Sequence, residues 1–94
     1  GLSVSRRGVL VTAFGADPDS SGTLLRLWEL AGGSGEISVR LPEGVHATRA
    51  MPVSLRGEPV GEPIPVKDGV FRFDLKPFAP ASFVLAMNME GKGG

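Results

Sequence analysis

Few residues in this chain could do chemistry on their own. Its single histidine, His46, sits in Gly-Val-His-Ala just after a turn. A catalytic triad needs serine or cysteine beside an imidazole that a carboxylate orients. The chain has no cysteine and no Gly-x-Ser-x-Gly elbow to present a nucleophile, so His46 reads as an exposed loop residue. Asp17 and Asp19, in Asp-Pro-Asp-Ser-Ser-Gly, could offer oxygens to calcium. A calcium loop of the helix-loop-helix type needs more ligand positions and a distal glutamate, and turn formation is the favoured reading.

Hydrolysis of a glycoside needs two carboxyl groups about 5–10 Å apart. Glu29 is the acid embedded in the most apolar segment and Glu36 follows a glycine loop, but nothing in their spacing makes them converge. A buried Glu29 paired with Arg26 or Arg40 is expected. Gly32-Gly33-Ser34-Gly35 lacks the Gly-Lys-Ser/Thr of a phosphate loop and reads as a strand connection. Trp28 is the only tryptophan and there is no tyrosine. Between Leu27 and Glu29 it is expected to anchor a core, as are the five phenylalanines. No catalytic, cofactor-binding or metal-ligating residue is assigned.

The elements that carry these residues are short. Fourteen glycines and eight prolines divide 94 residues, and no segment keeps helical spacing long enough for a helix. Gly8–Phe14 is a β-branched and aromatic run, and Thr23–Leu30 reads as a central strand. Glu36–Leu41 alternates, with Ile37, Val39 and Leu41 on one face. Ala47–Leu55 is a weaker strand interrupted at Pro52, which lacks a ladder donor and belongs at an edge or bulge. Arg56–Pro65, with three prolines, permits only an irregular edge segment. Asp68-Gly69 predicts a tight type I′ hairpin turn into Val70–Leu75, which places Phe71, Phe73 and Leu75 inward. Ala81–Met87 closes the series. Six or seven short strands with regular turns predict an all-β, antiparallel, immunoglobulin-like sandwich. Residues 1–88 are expected to form one such domain and residues 89–94 a flexible tail.

Ten basic and ten acidic residues are interleaved and the net charge is zero. That gives no basic footprint for nucleic acid, and no apolar run reaches the ~20 residues of a membrane-spanning helix. Without cysteine, any compartment is open. The start Gly1-Leu2-Ser3 reads as that of a processed or excised chain.

The order of the segments resembles a known family. Leu24-Leu25-Arg26-Leu27-Trp28-Glu29, then Ala31–Gly35 and Ile37-Ser38-Val39-Arg40-Leu41-Pro42, resembles a stretch of the C-terminal β-domain of family 38 α-mannosidases. Val53–Pro59 and Val70-Phe71-Arg72-Phe73-Asp74-Leu75-Lys76-Pro77-Phe78, continuing to Leu85, resemble later segments of that domain. The likeness runs in order from Thr23 to Leu85; Ala79 stands where the family commonly has Glu after Pro-Phe. It implies a noncatalytic terminal sandwich of a glycoside hydrolase, with the catalytic domain of the parent chain as partner. Zinc and the nucleophilic Asp would belong to that absent domain, so no cofactor is expected here. Arg26 and Glu29 match the motif and inherit only a structural or interdomain role. An apolar patch should then lie exposed. The alternatives are a carbohydrate-binding module and a generic immunoglobulin- or fibronectin-like interaction module.

Overall fold

The computed structural model describes residues 1–18 and 22–87. They form β1 (Ser3–Val4), β2 (Val9–Ala16), β3 (Thr23–Glu29), β4 (Gly35–Arg40), β5 (Arg49–Val53), β6 (Ile64–Pro65), β7 (Val70–Leu75) and β8 (Pro80–Ala86). The chain is all-β among the described residues. All strand pairs are antiparallel, in a three-stranded sheet ordered β1-β4-β7 and a five-stranded sheet ordered β2-β3-β8-β5-β6.

Alternation puts every second side chain between the sheets. The larger sheet supplies Leu25, Leu27, Ala50, Phe83 and Leu85, and the smaller one Ile37, Val39, Phe71 and Leu75, all buried. Phe83 bridges the layers edge-on: its ring centroid lies 5.1 Å from that of Phe71 and 4.6 Å from that of Phe73. A sandwich is the outcome because two half-apolar sheets bury most area face to face.

The turns follow local chemistry. Asp68 (φ 54°) and Gly69 (φ 77°) both take the left-handed conformation, and Lys67 and Val70 exchange two backbone hydrogen bonds of 2.9 and 3.0 Å. That is the type I′ geometry expected of Asp-Gly. Pro52 lies beyond β6, which pairs only with Arg49 and Ala50, so its missing N–H costs the ladder nothing there.

Three features depart from the sequence reading. Ser3–Val4 forms a short strand that no pattern announces. β2 continues through Gly15 and Ala16, with a bulge between Val11 and Ala13. Trp28 is not a core anchor: it is 45 % exposed, while Leu25, Leu27 and Glu29 on the same strand are fully buried. The strand alternates as a half-buried strand must, and Trp28 falls in the outward phase. Phe78 and Phe14 are likewise exposed, and Phe73 is half-buried. The expected tail, residues 89–94, lies outside the described residues.

Candidate interaction surface

Glu29, at the end of β3, points into the protein. Oε1 accepts hydrogen bonds from the backbone N–H groups of Gly32 (2.8 Å) and Phe78 (2.9 Å), and Oε2 from those of Gly33 (3.0 Å) and Ala31 (3.2 Å). The expected partners Arg26 and Arg40 are not the ones used: the carboxylate is held by backbone donors instead. The glycine loop must turn tightly to aim three N–H groups at one carboxylate, and Gly32 does so at φ 83°. The Phe78 N–H is the strongest influence holding the carboxyl below its usual range, against burial, which opposes it. A carboxylate so engaged stays ionised and ties the β3–β4 connection to the β7–β8 turn. It is a clamp, not a proton donor.

Glu36 lies elsewhere. It is exposed on β4 of the smaller sheet, directly opposite Asp74, whereas Glu29 is buried at the end of β3 in the larger sheet. His46 is exposed and lines an open hollow of about 680 Å³ with Arg40, Glu43 and Asp68, which no serine lines. Asp17 sits at the end of β2, where its N–H donates to the Gly22 carbonyl, while Asp19 lies outside the described residues. Among the described residues no three His, Cys, Asp or Glu side chains gather to hold a metal ion.

The outer face of the larger sheet is the most distinctive surface. Leu10, Trp28 and Pro80 stand in one cross-strand row on β2, β3 and β8. Leu10 (52 %) and Trp28 (45 %) are open to solvent, and Leu30, just past the end of β3, is exposed at 52 %. In the next row Arg26 reaches past β8 to donate to the Leu55 carbonyl at 3.4 Å, leaving its Nε buried without a partner. Cross-strand pairing gathers these residues, since Leu10, Trp28 and Pro80 come from three strands far apart in sequence.

A second feature is a cleft of about 510 Å³ where the two sheets part beyond the hairpin. Phe73, Phe83, Pro52, Ile64, Val60 and Ala81 line it. Half-buried Phe73 lines this opening: β7 is an edge of the smaller sheet, and the Phe73 ring packs on Phe83 while the cleft keeps it partly open. Periodicity assigned Phe73 inward correctly, but it carries no information about how far the opposite sheet extends.

The fold and these surfaces define a two-sheet β-sandwich with an apolar outer face. Compared with known proteins, the chain matches no family model, no curated protein and no solved structure.

Proposed function

We propose that the domain is a noncatalytic module that packs against the catalytic domain of an α-mannosidase-like glycoside hydrolase. The Leu10–Trp28–Leu30 face carries the reading. Large apolar side chains gathered on one sheet face are covered in the working state of most proteins that have them. The acids fit it too, since Glu29 is committed to backbone donors and Glu36 lies on the other sheet, opposite Asp74. The resemblance from Thr23 to Leu85 names the class of partner.

The test joins this chain to the polypeptide encoded upstream and measures hydrolysis of an aryl α-mannoside together with thermal stability. The expected result is an active, zinc-dependent joined protein, an inactive isolated chain, and blue-shifted Trp28 emission on joining. Trp28→Asp should lower the melting temperature of the joined protein far more than that of the isolated chain. An upstream polypeptide without glycosidase activity, or Trp28 emission unchanged on joining, refutes the proposal.

Exposure of Trp28 also favours a second reading, a carbohydrate-binding module, because an exposed indole can stack on a sugar face. Titrating Trp28 fluorescence with mannose oligosaccharides separates the two: a saturable shift supports binding, and none at millimolar sugar removes it for those ligands.

A further inference from the structure

The four sheet edges are not alike. β1 and β6 are two residues long, and β6 carries Pro65. β7 carries Arg72 and Asp74. Short length, proline and charge are the usual protections against edge-to-edge pairing. β2 has none of these: its eight residues, Val-Leu-Val-Thr-Ala-Phe-Gly-Ala, include no charge and no proline. A bulge is a further protection of such edges, and β2 carries one, at Thr12.

The hydrogen-bond phase shows which groups this edge offers. Gly8 accepts from the Leu30 N–H, and the Asp17 N–H donates to Gly22, so Gly8, Leu10, Ala13, Gly15 and Asp17 face β3. Val9, Val11, Phe14 and Ala16 therefore turn their backbone N–H and C=O outward. The same four side chains fall in the inward phase, opposite Glu29, Leu27, Leu25 and Thr23. Val11 (37 %) and Phe14 (38 %) remain open there.

We infer that β2 is the docking edge for β2 of a second copy, paired antiparallel about a two-fold axis between Thr12 and Ala13. In that register Val9 meets Ala16 and Val11 meets Phe14, so every outward-turned residue meets another. No other antiparallel self-pairing matches all four, because the bulge makes the spacing of the edge groups uneven. The two bulges face each other across the axis. Gly8 then stands opposite Asp17 of the second copy, which brings exposed Arg7 beside that carboxylate, twice by symmetry. The basic entry and acidic exit of β2 thus specify an antiparallel second copy over a parallel one. The pairing uses up the edge on both copies and closes at two.

A single strand pair lies at the small end of specific interfaces, so the dimer is weak, with Kd on the order of 0.1–1 mM. Sedimentation velocity on the full chain from about 10 µM to 1 mM should show the dimer form. Amide hydrogen exchange at the two ends of that range should show Val9, Val11, Phe14 and Ala16 slowing with concentration, while Leu10 and Gly15 do not change. Arg7→Asp and Asp17→Arg should each weaken the dimer by roughly tenfold, and the double exchange should restore it. Val11→Lys, which leaves every hydrogen bond to β3 in place, should abolish the dimer with little loss of melting temperature. A monomer throughout, a dimer that leaves those four amides unprotected, or a charge exchange that fails to restore pairing overturns the inference.

Discussion

Leu27 and Trp28 are neighbours on β3, one fully buried and one 45 % exposed, and replacing each by alanine tests the assignment of faces. Leu27→Ala removes a side chain packed between β8 and the smaller sheet and leaves a cavity, at a cost of about 3–5 kcal/mol. A chain of this length has total stability of roughly 5–14 kcal/mol. The melting temperature should fall by about 12–40 °C, at 4–8 °C per kcal/mol. Trp28 is the larger side chain, but only about 100 Å² of an indole so placed is removed from water. At ~25 cal/mol per Å² that is at most about 2.5 kcal/mol, and a compact unfolded state reduces it to about 1.5–2.3 kcal/mol. Urea unfolding should be followed by circular dichroism, since Trp28→Ala removes the only tryptophan. Leu27→Ala should lower the midpoint more than Trp28→Ala, with similar m-values. The reverse order would mean that the indole, not the leucine, fills the interior, and the outer apolar face would vanish with it.

Further outcomes follow from the loops. Glu29 is held below its ordinary value of 4.5, so its contribution to stability is complete above about pH 4.5. It is lost as the pH falls through the lowered folded value; melting temperature against pH should therefore drop in acid, and Glu29→Gln should be less stable at pH 7 with a flatter acid limb. Gly8→Ala should destabilise more than Gly69→Ala, as judged by thermal unfolding. Both have positive φ, but a Cβ on Gly8 would clash with the Ala31 Cβ while one on Gly69 meets nothing within 4 Å. Gly69→Ala alone should cost about 1–2 kcal/mol. Leu30→Ser, on the exposed face, should change the stability of the isolated chain by no more than about 0.5 kcal/mol.

Much of the architecture was legible because alternation and turn chemistry act locally. The β7 boundaries, the Asp68-Gly69 turn, the inward Ile37 and Val39 and the edge character of Arg56–Pro65 all come from neighbours in the chain. β1 was invisible, since two residues contain no period. The partners of Glu29 were missed for a different reason. A buried acid suggests an arginine, and nothing in the sequence says that four backbone N–H groups will reach it first. The glycine cluster Gly32-Gly33 was the one available hint, because the loop turns at Gly32 through a left-handed conformation that favours glycine.

What this sequence determines by itself is the alternation of each strand, the places where the chain must turn, and hence an all-β sandwich. Which phase of β3 faces the second sheet, and so whether Trp28 is covered, was decided only by tertiary structure. So was the meeting of Glu29 with the Phe78 N–H, 49 residues away. Periodicity fixes which side chains share a face, but burial depends on where the other sheet lies and how far it extends. The three-stranded sheet does not cover all of the five-stranded one: Val11 and Phe14 of β2, both in the inward phase, remain open to solvent.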